Sequence, residues 1–125
     1  MQHIESVLSL WAPRARGALR IVVGLLFIPH GTAKLFGVPH VAMFDNLQLF
    51  SLLGLAGVLE TFGGLLILLG LFTRPVAFVL AGFMAVAYFM AHAPKGFLPI
   101  LNGGDLAIVF CFVFLYFSVA GAGAK

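Results

Sequence analysis

The sequence predicts an all-α integral membrane protein: an antiparallel four-transmembrane-helix bundle with an N-terminal interfacial helix, forming one domain over residues 1–125. Three observations predict it. Of the 125 residues, 62% are hydrophobic and 9% charged, whereas a soluble domain carries charge on about a quarter of its residues. Four apolar runs approach the roughly 20 residues that a membrane span requires. Turn-forming stretches rich in glycine and proline separate the later runs.

The same composition excludes several function classes. The length suits one domain and leaves no room for a separate soluble catalytic module. Net charge is +3, but the basic residues are scattered rather than gathered on one face, which argues against nucleic acid as a partner. Cys111 stands alone, so no intrachain disulfide framework exists. No dinucleotide fingerprint, phosphate loop, CxxC pair or catalytic-triad spacing occurs.

The first element is read from "MQHIESVLSLWAPRAR". Ile4, Val7, Leu8 and Trp11 recur at helical spacing, and Arg14 and Arg16 follow them. A cleaved signal places its basic residues before the apolar run. This order instead suggests a short helix lying in the interface, with Trp11 at headgroup level.

The spans follow at about 17–36, 50–72, 75–93 and 104–120. The first, "GALRIVVGLLFIPHGTAKLF", is the least apolar. Pro75 stands where a helix start tolerates proline, so "FTRP" is expected to turn between the second and third spans. The connection Gly37 to Leu49 is longer and semi-apolar, suited to lying in the interface or folding back on the helices. With four spans, Arg14, Arg16, Arg20, Arg74 and Lys125 share one side, and Lys34 and Lys95 the other. Five basic residues against two put both termini in the cytoplasm.

This orientation gathers the polar groups. His30 and Lys34, four apart on one helix face, fall in the outer half of the first span. Glu60 falls in the outer half of the second, His92 at the outer end of the third, and Asn102 and Asp105 at the start of the fourth. Arg20 and Arg74 fall near the cytoplasmic boundary, where long side chains can snorkel. A charge at a helix centre costs about 2.5–3.5 kcal/mol on insertion scales, so Glu60 is expected to face the bundle interior and pair with Lys34. Gly57, Gly63 and Gly64 flank Glu60 and would let a neighbouring helix approach.

Each group has a functional and a plain reading. Glu60 with Lys34 is either a proton-passing carboxylate beside a tuning ammonium or an ion pair locking two helices in register. His30 and His92 could contact a quinone or an anion, bind metal or haem, or be structural; they lack the spacing of a metal motif. Asn102 could cap the fourth helix with Asp105 at its third position, while "NGGD" also exposes N–H groups to an anion. The phenylalanine-rich run "FCFVFLYF" reads as a lipid face or the lining of a greasy pocket, and Cys111 has no basic neighbour to activate it.

Four segments in order resemble the DoxX family. "RIVVGLLFIPHGTAKLFG" is similar to its first-helix signature, with arginine, glycine, His-Gly, lysine and Phe-Gly. "ETFGGLLILLGLFTRPVA" resembles the second motif, with a glutamate before paired glycines and a Gly-Leu-x-Thr-Arg turn. "AHAPKGF" and "NGGDLAIVF" resemble the third and fourth, with Asp105 where many members have glutamate. The resemblance runs from about Leu19 to Phe117 and implies a four-helix protein of the bacterial cytoplasmic (inner) membrane. Some relatives are subunits of thiosulfate:quinone oxidoreductases; others are linked to thiol and oxidative-stress systems.

The resulting expectation is a membrane subunit of a quinone-linked redox system. Glu60 and Lys34 would be its catalytic pair, and His30, His92, Asn102 and Asp105 its ligand contacts, with no metal. Electrons would come from a partner protein or soluble donor, since no cofactor motif lies in the chain, and turnover by the chain alone is not expected. A non-enzymatic scaffold or anchor subunit of a larger complex is the alternative; transport is a third. Membrane lipids surround the chain in each case, and a homo-oligomer is compatible with all three.

Overall fold

The computed structural model describes residues 2–39 and 51–124, with backbone only at residues 101 and 102. The connection Gly37 to Leu49 therefore falls largely outside the described residues, as does Lys125. Every regular element described is helical.

Helix α1 runs unbroken from Gln2–Phe36, 35 residues, about 52 Å at 1.5 Å per residue. The expected interfacial helix is thus no separate element; residues 2–16 continue the first span. Pro13 lies inside α1 without ending it. A lone proline removes one backbone bond, and no second breaker stands near it. Fully buried residues begin at Gly17: Gly17, Arg20, Gly24, Phe27 and Gly31 form the buried stripe, spaced three or four apart.

Helix α2 spans Leu52–Leu69. Ser51 caps it, its hydroxyl accepting from the Gly54 N–H at 3.2 Å. Gly70, at φ 73°, ends it in the left-handed conformation. The Gly70 N–H donates to the Ile67 carbonyl and the Leu71 N–H to the Leu66 carbonyl, the paired closure of a Schellman turn. The reversal therefore occupies Gly70 to Phe72, and α3 (Thr73–Lys95) already begins at Thr73. Pro75 falls in its first turn, where its missing N–H costs nothing.

A four-residue helix α4 (Pro99–Asn102) precedes α5 (Asp105–Ala120). Asn102 does not occupy the expected cap position: its backbone ends α4, Gly103 turns at φ 73°, and Gly104 stands at the cap of α5. Asp105 is the first helical residue, where its charge still suits the positive helix end. Three helices, α1, α2 and α3, are long and apolar enough to cross a membrane. The 16 residues of α5 are apolar but shorter.

The core joins all four long helices. Phe27 of α1 sets its ring edge-on to Phe110 and Phe114 of α5, at centroid distances of 5.2 and 5.0 Å. Ile67 of α2 and Ala77, Leu80, Ala81 and Met84 of α3 close around them. Phe110, Phe114 and Phe117 recur at four- and three-residue steps and are buried, while Phe112 and Tyr116 are exposed. The phenylalanine-rich run is therefore core on one side and outer face on the other. Large apolar side chains stay exposed around every long helix, as expected where lipid rather than water is the solvent.

Glycines set the α1–α2 seam. A Cβ on Gly31 would strike Thr61 Oγ1 and N, and one on Gly64 would lie 2.8 Å from the Ile28 side chain. Gly57 likewise faces Lys34 and Leu35, but Gly63 faces Leu80 of α3 instead. Two of the three glycines expected beside Glu60 thus belong to its seam. Arg20 departs from expectation: it is 2% exposed, buried inside the bundle rather than reaching to the boundary, whereas Arg74 is exposed.

Candidate functional site: a polar-walled cavity

Glu60 lies one turn after Gly57 and one before Gly64, on the face of α2 that α1 approaches. It is 5% exposed. Lys34, near the end of α1, meets it: Nζ donates to Glu60 Oε1 at 2.7 Å and to the His30 carbonyl at 3.3 Å. The pairing expected from sequence is present, and the glycine seam is what brings the two backbones close enough to make it.

The pair forms part of the wall of a cavity of about 670 Å³ bounded by α1, α2, α3 and α5. Most of the wall is apolar, including Phe27, Met84 and Phe110. The polar exceptions among side chains are His30, Lys34, Glu60, His92 and Lys95. The His30 ring packs edge-on to Phe110 at 6.2 Å. The His92 ring lies nearly parallel to Tyr88 at 6.3 Å.

Two local distortions present these side chains. Leu59–Gly63 forms a π-helical turn inside α2, and Tyr88–His92 forms another towards the end of α3, where a 3-10 turn at Ala93–Lys95 follows it. A π turn carries an extra residue per turn and is costly, and such turns concentrate at functional sites. Here one holds Glu60 and the other ends at His92.

Four of the six residues singled out from sequence, His30, Lys34, Glu60 and His92, line one cavity. Asp105 does not: it is exposed and outside the lining. The side chain of Asn102 lies outside the described residues. Lys95 joins the lining, although sequence reasoning used it only to set orientation; its place just past His92 was the available signal. Among the described residues, no three His, Cys, Asp or Glu side chains gather as metal ligands. A second hollow of about 340 Å³ between α2 and α3 has no titratable side chain in its lining and can move no proton.

Chemically, the cavity offers a buried carboxylate–ammonium pair and two imidazoles at the wall of an apolar space. That set can hold a polar head by hydrogen bonds and exchange protons with it.

The family model for DoxX matches residues 16–93. The chain belongs to the DoxX family. A further DoxX-family relative, an uncharacterized protein of Haemophilus influenzae, is 47% identical over 121 residues, covering 94% of this chain and 90% of that protein. No solved structure matches the chain. The matched segment contains the Lys34–Glu60 pair, His30, His92 and both π turns. Lys95 and α5 lie beyond its end, so the cavity of this DoxX protein is completed by residues outside the family match.

Proposed function

We propose that this DoxX-family protein is a membrane subunit of a quinone-linked redox system and that the cavity binds the quinone head. The observation that carries the reading is the convergence of Lys34–Glu60, His30 and His92 on one apolar space of about 670 Å³. That size falls within the roughly 300–1,000 Å³ of small-molecule sites lined by apolar side chains and a few placed polar groups. The donor set also suits the ligand: a quinone head presents two carbonyl oxygens and a flat apolar ring.

In this reading His30 and His92 donate hydrogen bonds to the carbonyl oxygens. Glu60 carries the proton, and Lys34 holds its carboxylate in place and balances its charge. A bound quinone supplies reversible two-electron, two-proton chemistry. Electrons come from a partner protein or a soluble donor, which makes the chain one component of a larger system. The protein sits in the bacterial cytoplasmic membrane with the arginine-rich ends of its helices in the cytoplasm, in keeping with the uneven Lys and Arg distribution.

The test is lipid extraction and mass spectrometry of the purified protein, comparing wild type with Glu60→Gln and His30→Ala. Quinone enriched in wild type and lost from both folded variants is the expected result. No enrichment over an unrelated membrane protein, with both variants folded, would overturn the reading in favour of a scaffold.

A further inference from the structure

At the other end of the bundle lies a second polar group of side chains that the quinone reading leaves unused. Arg20 is 2% exposed, and its Nε and Nη1 are buried with no hydrogen-bond partner. Arg16, one helical turn earlier on the same face, also buries an unpartnered Nε. Thr73, the first residue of α3, is buried with its Oγ1 unpartnered. Four orphaned polar atoms thus occur at one end of a bundle whose only ion pair among the described residues is at the other.

The C-terminal segment packs against two arginines at this end, Arg16 and Arg74. The Ala124 N–H donates to the Pro13 carbonyl at 2.8 Å. A Cβ on Gly123 would lie 2.7 Å from that carbonyl and 3.0 Å from the Arg16 side chain, and one on Gly17 would strike the Ala124 carbonyl. Gly121, at φ 82°, is held against the Arg74 guanidinium: a Cβ there would lie 3.3 Å from Nη2. Residues 121–124 therefore touch both Arg16 and Arg74. Arg20 lies just inside, between the contact of Gly17 with Ala124 and that of Gly24 with Leu68.

Charge makes the arrangement incomplete as it stands. A guanidinium carries five N–H donors and does not lose its proton. Burying it without an anion is among the most costly arrangements in a protein. The chain has four carboxylate residues, Glu5, Asp45, Glu60 and Asp105. Glu60 is paired with Lys34, Asp105 opens α5 at the far end, Glu5 is exposed on α1, and Asp45 lies outside the described residues. No described carboxylate neutralises the arginines.

We propose that this end of the bundle is a binding site for a phosphate-class oxyanion, with Arg20 as the central ligand and Arg16, Arg74 and Thr73 around it. Planar guanidinium groups match the spacing of phosphate oxygens and bind them in a bidentate fashion. The anion comes either from the headgroup of an anionic phospholipid or from phosphate in solution. Basic groups between transmembrane helices on the cytoplasmic side can take lipid headgroups.

The experiment uses the full chain, purified in mild detergent and stripped of lipid, as wild type, Arg20→Met and Arg74→Gln. One arm titrates phosphatidylglycerol and reads bound lipid by native mass spectrometry. The other reads the melting midpoint in sodium phosphate against sodium chloride of equal ionic strength. A lipid source predicts binding to wild type that falls about tenfold or more in Arg20→Met, the effect of losing a charge-assisted hydrogen bond. A free-phosphate source predicts a midpoint raised by phosphate in wild type and unchanged in Arg20→Met. If Arg20→Met does not fold, the exposed Arg74→Gln is the deciding variant, and the same losses are required of it. Lipid binding and phosphate response equal to wild type in the deciding variant would overturn the proposal.

Discussion

Lys34 and Glu60 meet across the α1–α2 seam at 2.7 Å, with both side chains largely withdrawn from solvent. A pair this buried couples register to chemistry, and the two roles separate by substitution. Glu60→Met or Lys34→Met alone strands the other charge and should cost about 3–5 kcal/mol. The double variant removes both charges and should recover most of that stability. Quinone retention should stay lost in the double variant. Unfolding in denaturant and lipid extraction, run on all four proteins, check both statements; retention restored along with stability would reduce the pair to a helix lock.

Gly31 sets how closely α1 and α2 approach, because a Cβ there would strike Thr61 Oγ1 and the Thr61 backbone. Backbone cannot give way as a flexible side chain can. Gly31→Ala should therefore destabilise by about 1–3 kcal/mol, the usual range for overpacking, and weaken the Lys34–Glu60 contact by spreading the seam. Gly82 on α3 is the control, with nothing within 4 Å of its Cβ position. Gly82→Ala should be neutral or stabilising by up to about 1 kcal/mol through helix propensity. Equal midpoints for the two variants would contradict the close-crossing account.

The sequence made some of this legible through strong physics. A carboxylate in an apolar run must find a partner, and Lys34 was the cation at matching depth; hence the pair was readable. The glycine spacing around Glu60 was readable for the same reason, although Gly63 faces Leu80 of α3, since at about 100° per residue it lies off the face that Gly57 and Gly64 share. The π turns themselves had no signature in the sequence pattern. At "NGGD" two glycines offered two places to start a helix, and Gly103 ended α4 while Gly104 opened α5. Arg20 was misplaced because a boundary arginine ordinarily reaches for water, and only the fold shows its side chain buried.

Asp105 and His92 should now part company. Asp105 lies outside the cavity lining, so Asp105→Asn should leave quinone retention at the wild-type level and cost about 0.3–1 kcal/mol from the helix end. His92→Ala removes a cavity group and should lower retention about tenfold, the size of one well-made hydrogen bond. Lipid extraction of the two purified variants checks this directly. A loss in Asp105→Asn matching that in His92→Ala would return Asp105 to the site.

Orientation gives the last test. The proposed orientation, drawn from the uneven Lys and Arg distribution, has the start of α1 in the cytoplasm and the α3–α4 connection outside it. Phe97 in that connection is 94% exposed, so a cysteine there would be open to reagents, and Ser6 is exposed near the start of α1. On a Cys111→Ser background, Phe97→Cys should react with a membrane-impermeant maleimide in cells whose cytoplasmic membrane is intact. Ser6→Cys should react only after that membrane is opened. The opposite pattern would place the Lys34–Glu60 cavity on the cytoplasmic half and Arg20 on the outer half. The proton taken up or released at Glu60 would then belong to the cytoplasm, reversing the direction in which a quinone reaction at this site moves charge.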